Sequence, residues 1–332
     1  KFSNKILDRM VEQKLNKSLK LILETEVKTE RYDKVQYIFV ESCSLKNLEM
    51  LKYIVHNNDF SNFELSDLLN EGLWQAAKSG HTEVVRFLLQ SSSFKLQLDE
   101  HRYKNYNTAL HVACQNGHFD VVKLLLDYLS ENPQPVHINF KGDGCDTPLM
   151  EACRKKETEI VKLLLEQDNL EVNLENIQRK TAFNIACTEL SLECAKLLLQ
   201  HPSIEIKSPW RLPLHVFALE WDNHCGIDPL SEWTKMFEFL CSLPNIDIND
   251  RDHRGRTVLH CACVSSKNPQ LVKKILQQPN IDINAKDENG DTALRLAVER
   301  RNFKIIEEIV NYGVERGIKH NVVSLRDLPP SY

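Results

Sequence analysis

The sequence predicts an all-α fold, a solenoid of stacked helix-turn-helix units joined by β-hairpin-like loops and led by a helical N-terminal cap. Three observations predict it. The stretch "TALHVACQNGHFDVVKLLL" at residues 108–126 recurs in near-copies along the 332 residues. The second half of each copy carries an apolar face wide enough to be covered on more than one side, as in Val121, Val122, Leu124, Leu125 and Leu126. Between copies lie Gly-, Asn- and Asp-rich stretches such as "NIDINAKDENGD", which read as an extended arm and a turn.

Taken in order, residues 3–24 read as helical, with Leu7, Val11, Leu15, Leu19 and Ile22 along one side. Residues 1–33 therefore form a cap that covers the flank of the first unit. The array, residues 34–313, aligns on Tyr37, Glu71, Thr108, Thr147, Thr181, Leu212, Thr257 and Thr292, with spacings of 34, 37, 39, 34, 31, 45 and 35 residues. Each Thr is an expected helix N-cap, its oxygen accepting backbone N–H bonds of the first turn. Ala113, Ala152, Ala186, Ala262 and Ala297 are small enough to let neighbouring helices approach. Helices this short are marginal alone, so each unit depends on burying leucines against its neighbours, at roughly 1.5–3 kcal/mol apiece. The 39-residue spacing holds "DYLSENPQPVH", a longer second helix and a proline loop; the 45-residue spacing holds an insertion, "EWDNHCGIDPLSEW". Residues 314–332 form a C-terminal cap and a tail.

The copies "TALHVAC", "TPLMEAC", "TAFNIAC" and "TVLHCAC", each followed by a second helix, resemble the ankyrin repeat, whose signature is T-P-L-H-x-A. The match is strong from Glu71 to Tyr312 and degenerate from Tyr37 to Phe60. The resemblance implies a concave face lined by hairpin tips and first helices. It also implies that His111, His215 and His260, at the fourth signature position, bond nearby backbone between repeats.

Composition excludes several functions. A net charge of −5 gives no electrostatic case for nucleic acid. No apolar run approaches the length that spans a bilayer, so membrane insertion is not expected. Ten cysteines without a disulfide-type spacing suggest a reducing compartment, hence a cytoplasmic location with the nucleus also open. The opening "KFSNKILDRM", without an initiator Met or a secretory stretch, reads as a piece of something longer. Cys43, Cys114, Cys153, Cys187 and Cys263 each lie six residues after an aligned position and read as small apolar fillers. "HCAC" at 260–263 lacks the second ligand pair a zinc site needs, so no metal and no cofactor are expected. No nucleophile elbow, phosphate loop or dinucleotide fingerprint occurs, and the chain reads as no enzyme.

What remains is a surface for a partner protein or peptide. The candidate contacts are Tyr106, Asp143, Arg154, Lys155, Gln178, Arg179, Lys180, Trp210, Arg211, Trp221, His253 and Arg254. Lys104, Asp146, Arg256, Glu288 and Asp291 lie in the same strip. Its middle, from Arg154 to Arg211, leans basic and suits an acidic or mixed-charge segment; the alternative is that these charges only keep the array dissolved. Trp221 and Trp233 either anchor a partner or pack the insertion onto its own repeat. The ending "LPPSY", with Leu328, Pro329, Pro330 and Tyr332, is of the P-P-x-Y type bound by WW domains, which would make the chain an adaptor for a WW protein such as a ubiquitin ligase. A third reading is the ankyrin-like regulatory domain of a kinase, channel or pathogen effector. Asn173 and Asn284, each with Leu eight residues before, are candidate acceptors for asparaginyl hydroxylation by that resemblance.

Overall fold

The computed structural model describes residues 4–28, 32–56, 65–91, 107–132, 137–207, 212–220, 229–265 and 269–318. Among them every regular element is helical, apart from one isolated bridge between Lys286 and Thr292. The chain divides into two compact units, residues 1–177 and 178–332.

Unit 1 contains α1 (Asn4–Glu12), α2 (Asn16–Lys28), α3 (Tyr32–Ser44), α4 (Leu48–His56), α5 (Leu65–Ser79), α6 (Thr82–Gln90), α7 (Ala109–Gln115), α8 (Phe119–Glu131), α9 (Pro148–Arg154) and α10 (Thr158–Leu165). First helices pack on first helices in the order α1, α3, α5, α7, α9, and second helices follow alongside. Unit 2 repeats the scheme with α11 (Ala182–Thr188), α12 (Leu192–Leu199), α13 (Pro213–Leu219), α14 (Pro229–Ser242), α15 (Val258–Ser265), α16 (Pro269–Leu276), α17 (Ala293–Glu299) and α18 (Phe303–Glu315).

The caps form largely as expected. Thr108, Thr147, Thr181 and Thr292 sit in extended backbone and accept from the N–H three residues on. Leu212 holds the same extended conformation before α13 but brings no side-chain cap. At Tyr37 and Glu71 the alignment falls inside helices, because α3 and α5 begin several residues earlier.

The N-terminal segment differs from the single helix expected over residues 3–24. Lys14 takes a left-handed φ of 52°, and the chain turns between α1 and α2. The Leu15 N–H reaches the Met10 carbonyl, as His118 reaches Ala113 and Asn47 reaches Ser42 in later turns. The turn restarts the helical phase, so Leu7, Val11 and Leu19 are fully buried while Leu15 is 44% exposed. Each such turn needs one left-handed residue, and Gly117 (φ 72°) shows a second constraint. A Cβ there would stand 2.6 Å from the Glu157 carboxylate of the next repeat.

Cys43, Cys114, Cys153, Cys187 and Cys263 are buried in the first helices, as filler positions require. Burial pushes the thiols of Cys43, Cys114, Cys187 and Cys263 far up, so they stay protonated. In the repeat with the insertion, Trp233 is 2% exposed and stacks between Phe217 (5.1 Å) and Phe237 (5.2 Å). It closes the core of its own repeat and is not a surface anchor, because α14 starts at Pro229 and takes up the end of the insertion. No helix among the described residues is long and apolar enough to cross a membrane.

Candidate protein-interaction surface

The scaffold beneath the surface includes a ladder of side chains that links the first helices α5, α7, α13 and α15 to the loop of the next repeat. His111 is fully buried. Its Nδ1 accepts the Thr108 N–H (3.2 Å), and its Nε2–H donates to the Asp146 carbonyl one repeat on (3.1 Å). His260 does the same between Thr257 and the Asp291 carbonyl. His215 donates to the Arg256 carbonyl (2.8 Å), but its Nδ1 makes no hydrogen bond, since Leu212 stands where Thr would cap. Burial holds His215 and His260 below the ordinary imidazole value, so both are neutral, as these bonds require. No group of three or more His, Cys, Asp or Glu among the described residues is placed to hold a metal ion.

The sequence reading missed a member of this ladder. Trp74, three residues after the aligned Glu71, donates its Nε1–H to the Asn107 carbonyl at 2.9 Å, the bond the histidines make elsewhere. Its position in the register was the available signal; its side chain hid it. Asn184 occupies the slot in α11, where its Oδ1 accepts the Thr181 N–H, but its Nδ2 has no partner.

On this ladder sit the tips. In unit 1, Gly142 and Asp146 close a tight loop (2.8 Å) with Asp143 exposed at its apex. The Asp143 N–H donates to Asn107 Oδ1 (2.9 Å), so the preceding loop holds this apex in place. Ile177, 74% exposed, donates its N–H to the Gly144 carbonyl (2.9 Å) and marks the next apex. Arg154 does not reach into solvent as a free cation. It pairs with Asp146, with Glu151 3.7 Å away, while Asn176 donates to the other Asp146 oxygen (2.7 Å). Glu151 is buried, which pushes its carboxyl up. Lys155, at the end of α9, is exposed.

In unit 2, Gln178 and Arg179 are exposed, Arg179 at a left-handed φ of 58°. Lys180, expected on the outward side, is only 8% exposed, and its Nζ lies 2.9 Å from the Glu220 carboxylate. His253 and Arg254 are exposed at the apex of a loop organised by Asp252. One carboxylate oxygen of Asp252 accepts the N–H groups of Arg254 and Arg256, both at 2.9 Å. Burial opposes ionisation there, but these donors and the Arg256 charge hold the Asp252 carboxyl below its usual value. Asp287 repeats the motif, and the Glu288 N–H donates to the Arg254 carbonyl (3.0 Å), tying tip to tip. These loops are hairpin-like in their closing bonds without forming strands.

The chain side of Asn284 is part-buried, its N–H donating to Asp282 Oδ1 (3.0 Å); Asn173 is also part-buried. At the corresponding Asn139 and Asn249 the side-chain amide bridges to the next loop, through the Asn169 and Asn280 carbonyls. Tyr106, Trp210, Arg211, Trp221 and the tail Leu328, Pro329, Pro330 and Tyr332 lie outside the described residues.

The comparisons agree with this architecture. The family model described as "Ankyrin repeats (3 copies)" matches residues 37–139, 128–209 and 231–322. Human transient receptor potential cation channel subfamily A member 1 is 31% identical over 156 residues, covering 46% of this chain and 13% of that protein. Ankyrin repeat and SOCS box protein 11 of Pongo abelii is 31% identical over 128 residues (39% and 36%). The probable E3 ubiquitin-protein ligase XBOS33 of rice is 30% identical over 197 residues (59% and 36%). The chain thus spans little more than a third of these relatives at most. Among solved structures, the human ASB11 ankyrin repeat domain superposes with a TM-score of 0.51 at 22% identity, covering 72% of this chain and 96% of that one. The Bcl-3 ankyrin repeat domain gives 0.51 at 21% identity, covering 71% and 97%. With a family model matching most of its length, this chain of stacked helix pairs belongs to the ankyrin-repeat family.

Proposed function

We propose that this chain is a non-enzymatic scaffold that binds a partner protein through its hairpin tips and the adjoining ends of its first helices. Ankyrin repeats are protein–protein interaction modules. The observation that carries the reading is the contrast between a fixed ladder and a varied rim. Asp143, Ile177, His253 and Glu288 each lie four residues before an aligned position, range from acidic to apolar to imidazole, and are all exposed. A rim held by backbone bonds loses little entropy on docking.

The contacts assigned to the partner are Asp143 and Lys155 in unit 1, and Gln178, Arg179, His253 and Arg254 in unit 2. Arg154 and Lys180 act through the carboxylates they hold, while Lys155 and Arg179 are exposed on the same strip. An acidic partner segment is the chemistry we assign to Lys155 in unit 1 and to Arg179 in unit 2, each taken by itself. We place the protein in the cytosol, where the buried thiols of the described cysteines stay reduced.

The test is co-purification from a cytosolic extract with the wild type and with Arg179→Glu plus Arg254→Glu. Loss of a specific partner with unchanged circular dichroism supports the surface; retention by the variant refutes it.

A second reading takes support from the relatives. A SOCS box protein, a probable ubiquitin ligase and a channel carry similar segments. Within such a protein this array would select the cargo or regulate activity housed elsewhere. The WW-binding tail belongs to the same reading and is tested by titrating a WW domain against the wild type and Tyr332→Ala. Hydroxylation at Asn173 or Asn284 is tested by peptide mass spectrometry for a 16-dalton gain.

A further inference from the structure

The first helices of unit 2 pack in the order α11, α13, α15, α17, but the steps between them are not tied in the same way. From α13 to α15, His215 donates to the Arg256 carbonyl (2.8 Å), and the Ser265 hydroxyl is shared between the Ala218 and Cys261 carbonyls (2.9 and 2.8 Å). From α15 to α17, His260 donates to the Asp291 carbonyl (3.1 Å). At the α11–α13 step the ladder slot holds Asn184, 1% exposed, whose Nδ2 finds no hydrogen-bond partner. His215 Nδ1, in the slot of the next repeat, also goes without one. Two buried polar atoms at successive slots therefore favour any state that admits water to them.

A charge pair bridges this step. Lys180, the residue before the Thr181 cap of α11, places Nζ 2.9 Å from the carboxylate of Glu220, the C-cap of α13. The Lys180 side chain is 11% exposed and that of Glu220 32%, so solvent and its ions reach the carboxylate. Salt screens such a pair, whereas the neutral hydrogen bonds of the other two steps are indifferent to it.

A thiol lies on the same step. A Cβ at Gly72 of α5 would stand 2.8 Å from the Cys43 sulfur of α3, so the cysteine six residues after an aligned position faces the following first helix. Cys114 of α7 agrees: besides its burial, it feels the Glu151 carboxylate on α9. In the same register Cys187, fully buried, faces α13, and Cys263 faces α17. We infer that the α11–α13 step is a seam that opens reversibly, latched by the Lys180–Glu220 pair and gating access to the Cys187 thiol. Arg179 and Arg254 lie on opposite sides of it, so opening alters the spacing of two contacts assigned to the partner. That consequence rests on the proposed surface; the seam itself does not.

Timed alkylation of the full native chain with N-ethylmaleimide near neutral pH, read cysteine by cysteine by tandem mass spectrometry, tests this without any partner. Cys187 should react at least about threefold faster in ~500 mM than in ~50 mM NaCl, while Cys263 keeps one rate. Lys180→Gln should give the fast rate at both salt concentrations. Lys180→Glu should do the same, and adding Glu220→Lys should return Cys187 to the slow rate in low salt, which a mere loss of packing would not allow. A Cys187 rate independent of salt overturns the latch, as does Lys180→Gln behaving like the wild type. Cys263 accelerating in step with Cys187 overturns the seam, since unit 2 would then be opening as a whole. Circular dichroism checks the fold of each variant, and the wild-type salt comparison stays decisive should one fail to fold.

Discussion

Replacing His111 measures what the ladder contributes. His111→Ala removes the acceptor of the Thr108 N–H and the donor to the Asp146 carbonyl, both at a buried site. Each orphaned group costs roughly 1–3 kcal/mol. With the lost ring contacts, the total is about 3–6 kcal/mol, a large part of the ~5–15 kcal/mol that holds a typical domain folded. His111→Asn separates the two bonds. In α11, Asn184 keeps the bond to its own Thr N–H but leaves Nδ2 without a partner. The Asn variant should therefore keep the cap, lose the link to Asp146, and cost about 1–3 kcal/mol. Urea titration followed by circular dichroism gives the totals. Hydrogen exchange read by mass spectrometry over residues 108–115 and 146–153 locates them. Protection should fall in both segments for Ala and mainly in the second for Asn. A loss under ~1 kcal/mol for Ala, or an Asn variant as damaging as Ala, would refute the assignment of a bridge to the ring.

Unit 2 should be acid-sensitive. His215 and His260 have folded values lowered by burial, so the unfolded chain binds protons first as pH falls. Their contribution is complete above the unfolded imidazole value of about 6.5. It is lost below that at up to about 1.4 kcal/mol per pH unit per histidine, until each folded value is passed. Urea midpoints of residues in unit 2 at pH 7.5 and 5.5 check this, and His215→Gln with His260→Gln should flatten the difference. Trp233→Ala should cost about 3–5 kcal/mol by emptying the stack between Phe217 and Phe237, read by calorimetry. Gly117→Ala combines a left-handed φ with a clash against Glu157, and should lower stability by about 1–2 kcal/mol in urea titration. Removing the carboxylate with Glu157→Ala in the same chain should recover part of that loss.

The helix pairs, the Thr caps and the buried cysteines were legible in the linear chain because they depend on local rules: a hydroxyl before a helix, a small residue where two helices touch, leucines on one face. Periodicity repeats those rules and makes them unmistakable. Other features follow from what lies one repeat away, and no local pattern records that. Lys180 looks like a surface cation until Glu220, forty residues on, is brought beside it. Trp233 looks like an anchor until Phe217 and Phe237 enclose it. Trp74 looks unrelated to histidine until the Asn107 carbonyl shows that both donate the same bond. The apolar stripe of residues 3–24 reads as one helix until a left-handed residue at Lys14 restarts its phase, leaving Leu15 and Leu21 facing outward. Spacing in the chain sets which residues can share a helix face; distance in the folded array sets which charges are spent and which surfaces stay open.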